Sequence, residues 1–179
     1  LSGQHFLAKM QYPQEPAYNV FSAKDVKDSA AYINNESRER IAEYANATRY
    51  NDMVIKQMMD MVHETNALLI YFPDHGEEIY DYRDFYGRQP LGEEKITPNL
   101  IKHQIEIPFI VWCSDKWKQT HEAEWKTIGN AVDRDFSTDN VCHLLFRLAG
   151  IKTKEYKPER DLFSPEFIPQ TKEYNMLSL

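Results

Sequence analysis

The residues best suited to chemistry stand at the end of an apolar segment. Residues 67–72 are continuously apolar and predict a strand buried on both faces, as strands of helix-covered parallel sheets are. Asp74 and His75 follow this strand, and Gly76 lets the backbone turn there. Because ligands of open α/β sheets lie beyond the carboxyl ends of the strands, this carboxylate and imidazole are placed to bind a divalent metal. The alternative is an ordinary loop, in which Asp74 caps the next element and His75 is a surface histidine.

Length, charge and hydropathy restrict the classes of function. The chain has 179 residues, enough for one sizeable core, and a formal net charge of -7. This charge argues against a nucleic-acid-binding protein, because phosphate contacts need a basic surface. No segment approaches the roughly 20 apolar residues that span a bilayer, so we expect this chain itself to be soluble. It begins at Leu1 rather than at methionine, which we interpret as a processed or excised protein.

The two cysteines are too few for a disulfide scaffold and lack the spacing of zinc ligands. Cys113 follows a predicted strand, and Cys142 lies in an apolar helical segment. Both are therefore predicted to be buried free thiols, with a disulfide between them as the alternative.

The remaining periodicity predicts one further strand and several helices. Residues 107–112 form a second continuous apolar segment, which predicts a strand beside the first in one sheet. Helices are predicted over three segments, namely from about residue 37 to 62, 116–130 and 137–149. The apolar side of the first of these is predicted at helical spacing, at Ile41, Tyr44, Ala45, Thr48, Ile55, Met58, Met59 and Val62.

Two further regions lie between the predicted strands. Residues 77–88 are dense in charge and tyrosine with poor alternation, which predicts a short helix that passes into a long loop. His103, upstream of the second strand, is predicted to be a loop histidine rather than a ligand.

Several motifs, taken in chain order, resemble those of one family. Residues 73–81 are similar to the metal-binding Asp-His-Gly-Glu segment of membrane-anchored phosphoethanolamine transferases, members of the alkaline phosphatase and sulfatase superfamily. The other segments that resemble the family are its Gly-x-His segment at 3–5, the tyrosine and asparagine positions at 44–52, the Ile-Pro-Phe-Ile-Val-Trp strand at 107–112 and the late helix at 137–151. The resemblance covers residues 3–164 and matches the C-terminal part of the catalytic domain.

The resemblance implies a fold and a location. The fold is α/β, an alkaline-phosphatase-like sandwich with a mostly parallel sheet and helices on both faces, of which residues 1–179 form the C-terminal portion. Residues 152–179 are expected to form a surface-hugging tail. The missing N-terminal half of the same domain is expected to supply a threonine nucleophile and a further acidic metal ligand, and a membrane-embedded segment to precede it. The full-length protein is then expected at the periplasmic face of the inner membrane of a Gram-negative bacterium.

The resemblance also implies a reaction and a role for each candidate residue. Phosphoethanolamine passes from a phospholipid donor to a lipopolysaccharide acceptor, at lipid A or a core sugar, through a zinc-activated threonine that is not on this chain. One zinc ion, or two, is expected, with Asp74 and His75 as ligands. His5 is the predicted catalytic histidine, which holds the phosphate or protonates the leaving group. Glu77 is expected to fix the loop or orient an imidazole rather than to bind the metal.

One departure from the family affects substrate binding. Family members place a phosphate-contacting histidine in this loop, whereas residues 84–88 contain none. Arg88 or Tyr86 is the predicted substitute, since a guanidinium grips phosphate well.

Two other classes of protein remain open from the sequence. One is a sulfatase or metal-dependent phosphodiesterase of the same superfamily, which differs in its nucleophile. The other is a non-catalytic alkaline-phosphatase-like module. Because the nucleophile is expected outside this chain, we predict that residues 1–179 alone are inactive.

Overall fold

A computed structural model describes residues 7–88 and 96–169, which combine helices with short strands. The α-helices of the described residues are α1 (Asn35–Val62), α2 (Pro98–Leu100), α3 (Asp115–Thr120), α4 (Glu122–Gly129) and α5 (Val141–Leu148). The strands are β1 (Leu68–Tyr71), β2 (Glu78–Ile79), β3 (Tyr86–Gly87) and β4 (Ile110–Cys113). Single 3₁₀ turns occur at Ala8–Gln11, Ala23–Asp25, Thr138–Asn140 and Pro158–Arg160, and a π-helical segment spans Ile101–Ile105. None of the helices described here combines the length and apolarity needed to cross a bilayer.

The chain divides into two compact units. The first comprises Leu1–His63 with Leu69–Trp112, and the second comprises Glu64–Leu68 with Cys113–Leu179. The candidate metal motif and the long helix α1 belong to the first unit.

The start of α1 is fixed by a reciprocal cap. The side chain of Asn34 accepts a hydrogen bond from the amide of Ser37, and the Ser37 hydroxyl accepts one from the amide of Asn34. Such a capping box satisfies two amides that have no partner within the helix. The predicted start near residue 37 is therefore correct to within two residues.

The buried side of α1 differs from the predicted apolar side. Its buried residues are Ser37, Ala42, Asn46, Ala47, Asn51 and Ile55, of which only Ile55 was predicted. The difference arises because two asparagines are buried with hydrogen-bond partners. Asn46 accepts from the amides of Val20 and Phe21 and donates to the Phe21 carbonyl, and Asn51 donates to the hydroxyl of Tyr71 at 2.7 Å. Buried amides satisfied in this way replace apolar contacts on that side of the helix.

The two predicted strands lie side by side, as expected. β1 and β4 form a two-stranded sheet. Phe72, after β1, stacks on Phe109, before β4, while the amide of Ser114, after β4, donates to the carbonyl of Ala67, before β1. The strands therefore run in opposite directions, and this pair is an antiparallel part of the α/β fold. β1 is half-buried along its length, so the predicted burial on both faces is not seen in this chain.

The segment after the metal motif is a β-hairpin, so the predicted helix over this segment is wrong. β2 and β3 pair antiparallel, with Glu78 opposite Gly87 and Ile79 opposite Tyr86. The connection closes through the amide of Tyr80, which donates to the carbonyl of Phe85, and Tyr80 adopts a left-handed φ of 65°. Strands of two residues are too short to show alternation, which is why the sequence pattern misses them.

The second unit is organised around Ser114. Its hydroxyl donates to the carbonyl of Thr65 at 2.6 Å and accepts from the amide of Trp117, which caps α3. The single helix predicted over 116–130 is divided into α3 and α4 at His121, whose backbone is not helical. α5 ends as predicted at Gly150, which has a left-handed φ of 65°.

The predicted surface tail contains a buried anchor. Residues Asp161–Ser164 are buried, and the Asp161 carboxylate accepts from the hydroxyl of Tyr156 and the amide of Phe163. Arg134 donates to the carbonyls of Leu162 and Ser164, which fixes the same turn.

The two cysteines differ in exposure, and both are free thiols. Cys113 is buried, and burial raises the pKa of its thiol to about 11. Cys142 is exposed, so its predicted burial is wrong. The α5 face that carries Cys142 is turned away from the core that receives Leu144.

We expect Asn46→Ala to lower the free energy of unfolding by about 2 to 4 kcal/mol, because three backbone groups lose the partner that holds residues 20 and 21 against α1. Urea unfolding measures the change. Asn35→Ala, at an exposed position of the same helix, is the control and should change the value by less than about 1 kcal/mol. Equal effects of the two substitutions would contradict this assignment.

Candidate functional site

Asp74 and His75 each have one atom that could bind a metal, and these two atoms lie close together. The Nδ1 atom of His75 lies 2.8 Å from the carbonyl oxygen of Gly76, which can only accept a hydrogen bond, so the ring proton belongs on Nδ1. In the neutral ring this leaves the lone pair on Nε2, the form that binds metals. His75 Nε2 lies 3.7 Å from Asp74 Oδ2, and the Asp74 side chain is 89% exposed whereas that of His75 is 19% exposed.

The separation of these two atoms suits a shared zinc ion. With bonds of about 2.0 to 2.1 Å, two ligands of a tetrahedral zinc lie roughly 3.3 Å apart. The observed 3.7 Å between Asp74 Oδ2 and His75 Nε2 is close to that separation. A small rotation of the exposed Asp74 carboxylate would bring the two atoms to the distance that a shared zinc ion requires. Within residues 7–88 and 96–169, however, no group of three or more histidine, cysteine or acidic residues is gathered for a metal. The metal-binding role of Asp74 and His75 therefore stays a prediction, which their geometry permits.

Gly76 fixes this loop by a close backbone approach. Its amide donates to the carbonyl of Gln104 at 3.0 Å. A Cβ atom built on Gly76 would lie 2.3 Å from the carbonyl oxygen of His103, a distance that real Cβ atoms do not adopt. The glycine was predicted for the freedom of its backbone, and the structure adds that no side chain fits here.

A buried ion pair supports the hairpin that follows the loop. The Glu78 carboxylate is completely buried and accepts from Arg83 Nε at 2.8 Å and from Arg83 Nη2 at 2.9 Å. It also accepts from the Tyr82 hydroxyl at 2.9 Å and from Gln104 Nε2 at 2.6 Å. Burial raises the pKa of Glu78, but these hydrogen bonds outweigh it and hold the pKa below its ordinary value. Glu78 is therefore a charged carboxylate in the interior of the first unit, and both of its oxygens accept hydrogen bonds.

Glu77 is also buried, and its charge acts on neighbouring tyrosines. Burial first, and then the charge of Glu77, raise the pKa of Tyr44 and of Tyr86. The guanidinium of Arg40 lies over the Tyr86 ring at 5.7 Å from its centroid and opposes this rise. The predicted role of Glu77, to fix the loop or to orient an imidazole, stays a prediction.

Two further predicted site residues are His5 and Arg88. His5 lies outside the described residues, and its catalytic role stays a prediction. Arg88 follows β3 and is exposed, and its predicted phosphate contact stays a prediction.

His103 has contacts that the sequence pattern does not predict. It lies in the π-helical segment rather than in a loop, with Nδ1 3.4 Å from Asp81 Oδ1 and its ring stacked on Tyr82 at 5.5 Å. A π-helical turn is not visible from periodicity, and the partners are 21 and 22 residues away along the chain. No signal in the sequence identifies this arrangement.

Comparison with known proteins identifies the family. A family model described as "Sulfatase" matches residues 1–151. The chain therefore belongs to the sulfatase family, which confirms the superfamily that the motifs resemble.

Relatives within the family include phosphoethanolamine transferases. The phosphoethanolamine transferase EptC of Escherichia coli strain K12 is 32% identical over 174 residues, which are 96% of this chain and 28% of that protein. The crystal structure of the C-terminal periplasmic domain of Escherichia coli EptC is similar with a TM-score of 0.78 and 30% identity, over 96% of this chain and 46% of that one. A second structure of that domain, described as a complex with Zn, gives a TM-score of 0.74 and 31% identity, over 94% of this chain and 45% of that one. The chain thus spans less than a third of the full-length relative and about half of the solved domain, and the predicted α/β fold of this superfamily is confirmed.

We expect Gly76→Ala to lower the free energy of unfolding by about 2 kcal/mol or more, because the added methyl group meets backbone atoms that cannot move aside independently. The matched control is Gly129→Ala at the end of α4, where nothing lies within 4 Å of the added carbon. That control should leave stability unchanged or raise it by up to about 1 kcal/mol. A neutral Gly76→Ala would refute the close approach.

The stability of the protein should depend on the charge of Glu78. Because its pKa is lower in the folded state than its ordinary value of 4.5, its ionisation stabilises the fold above that pH, and this contribution is lost as the pH falls through the folded-state pKa. We expect the difference in unfolding free energy between the wild type and Glu78→Gln to shrink as the pH falls below 4.5. Urea unfolding from pH 7 to pH 3 measures it, with Glu39→Gln on the exposed side of α1 as the control for loss of one charge. A difference that grows in acid would contradict the prediction.

Proposed function

We propose that this chain is the C-terminal portion of a zinc-dependent enzyme that transfers phosphoethanolamine from a phospholipid to a lipopolysaccharide acceptor at the periplasmic face of the inner membrane. The single observation that carries the proposal is the facing pair of Asp74 Oδ2 and His75 Nε2, 3.7 Å apart after a strand of a sulfatase-family fold. The names of the relatives, which are phosphoethanolamine transferases, support the choice of transferred group. The description of one solved relative as a zinc complex supports the choice of metal.

In this reaction, metal binding and phosphate binding are assigned to different residues. Asp74 and His75 bind the zinc ion, and the Gly76 carbonyl keeps the His75 ring in the tautomer that can do so. A zinc ion bound there lowers the pKa of an attacking hydroxyl and neutralises charge on phosphoryl oxygens. His5 holds the phosphate or protonates the leaving group, and Arg88 contacts the phosphate oxygens through its guanidinium.

The reaction also needs groups beyond those that the described residues supply. A catalytic zinc normally has three protein ligands, whereas the pair described here supplies two. We therefore assign the third ligand and the threonine nucleophile to the N-terminal half of the same domain. A single zinc ion at this pair is the simplest arrangement, and a second ion would require further ligands from that half. The membrane is reached through a segment outside this chain.

The zinc assignment is tested by metal analysis of the complete catalytic domain. We expect a double variant, Asp74→Ala with His75→Ala, to lose most of its bound zinc, because both described donor atoms are removed. The matched control is Asp60→Ala with His63→Ala, an exposed aspartate and histidine at the end of α1. It should retain the zinc content of the wild type. Equal zinc in the double variant and the wild type would overturn the assignment.

The reaction class is tested on the same proteins. The complete domain should release a chromogenic alcohol from a phosphodiester and transfer the headgroup of a fluorescent phosphatidylethanolamine, and His75→Ala should abolish both. Residues 1–179 alone should show neither activity. Hydrolysis of a sulfate ester without headgroup transfer would favour a sulfatase, and zinc binding without any turnover would favour a non-catalytic module.

A further inference from the structure

Gln104 is bonded at once to the buried ion pair and to the metal-binding loop. Its side chain is 97% buried and donates through Nε2 to Glu78 Oε1 at 2.6 Å. Its backbone carbonyl accepts from the amide of Gly76 at 3.0 Å. The Gly76 carbonyl in turn lies 2.8 Å from Nδ1 of His75. One continuous series of hydrogen bonds therefore runs from a fixed carboxylate to the imidazole that is proposed to bind zinc.

The backbone that carries Gln104 has an unusual conformation. Residues Ile101–Ile105 form a π-helical turn, closed by the amide of Glu106, which donates to the carbonyl of Ile101 at 2.8 Å. Single π-helical turns are rare and recur at functional sites, because the wider turn displaces carbonyls from the regular ladder. In this turn the carbonyls of His103 and Gln104 both face Gly76, one at a distance that excludes a side chain and the other as a hydrogen-bond acceptor.

The chemistry of the side chain at position 104 is restricted by its partner. Glu78 already has the positive charge of Arg83 in a two-bond contact, so the ion pair needs no second cation. The side-chain amide of Gln104 supplies a hydrogen bond to the Glu78 carboxylate without adding charge. This bond holds the backbone of Gln104 at a set distance from Glu78. An apolar residue of similar volume would fill the space but would not fix the register of the turn against the hairpin.

We propose that Gln104 is a positioning residue for the metal site. It transfers the fixed position of the Glu78 carboxylate, through its own backbone, to the peptide unit of Gly76, and thereby sets the orientation of the His75 ring. This inference rests on the proposed function, since it assigns to His75 the role of a zinc ligand. It adds a residue that touches neither metal nor substrate.

The experiment uses the complete catalytic domain and zinc alone as the probe. We expect Gln104→Leu to raise the zinc dissociation constant, measured by competition with a chromogenic chelator, by about 10-fold to 100-fold, the range found when groups that orient metal ligands are removed. In the metal-free protein, hydrogen exchange at the Gly76 amide should become faster relative to the amides of α1. Gln57→Leu, the same substitution at an exposed position of α1, is the matched control and should change neither quantity by more than about twofold.

A second substitution covers the case in which Gln104→Leu does not fold. Gln104→Asn keeps the amide but withdraws it from Glu78 by about one carbon–carbon bond, roughly 1.5 Å. It should weaken zinc binding in the same direction and by a smaller factor.

The outcomes separate this inference from the proposed function. A lower melting temperature, with zinc affinity and Gly76 exchange both equal to those of the control, would show that Gln104 is structural and would overturn the inference. If the wild type and the variant that lacks Asp74 and His75 bind zinc equally, the proposed function fails, and the Gly76 exchange rate still decides whether Gln104 holds the loop. Faster Gly76 exchange together with weaker zinc binding supports the inference.

Discussion

The buried ion pair between Glu78 and Arg83 is the interaction on which the rest of the candidate site depends. A carboxylate removed from water is strongly unfavourable unless its lone pairs are satisfied, and here four hydrogen bonds from three side chains satisfy them. The ion pair thus joins β2, the following turn and the π-helical segment into one rigid support. The loop of Asp74 and His75, which has little regular structure of its own, is bonded to this support through the amide of Gly76 and the carbonyl of Gln104.

The motif could be found from the sequence because its signal is local. An apolar segment that ends on Asp74 and His75 predicts a strand and a pair of metal ligands within about ten residues, and both strands, the start of α1 and the end of α5 follow from similarly short patterns. The interactions that hold the motif are not local. Gln104 contacts Glu78 across 26 residues, and no periodicity links them. The hairpin at 78–87 was missed for a related reason, since two-residue strands carry no alternation.

Helix α1 shows a second limit of sequence patterns. Hydrophobic spacing assumes that the buried side of a helix is apolar, and this assumption fails where amides are buried with partners. Asn46 and Asn51 occupy the interior because each finds backbone or hydroxyl groups to bond, and their positions shift the buried side away from the predicted one. In the sequence these residues look like members of the solvent-facing side. Only the groups at residues 20, 21 and 71 reveal otherwise.

The close approach at Gly76 constrains the two participating positions unequally. The contact is made by the carbonyl oxygen of residue 103, which every amino acid possesses, whereas it excludes any side chain at residue 76. This contact therefore restricts position 76 to glycine, whereas it places no restriction on the type of residue at position 103. The imidazole of His103, which contacts Asp81 and Tyr82, takes no part in the close approach itself, so the side chain at position 103 can affect the surroundings of the loop without entering the contact that excludes a side chain at Gly76.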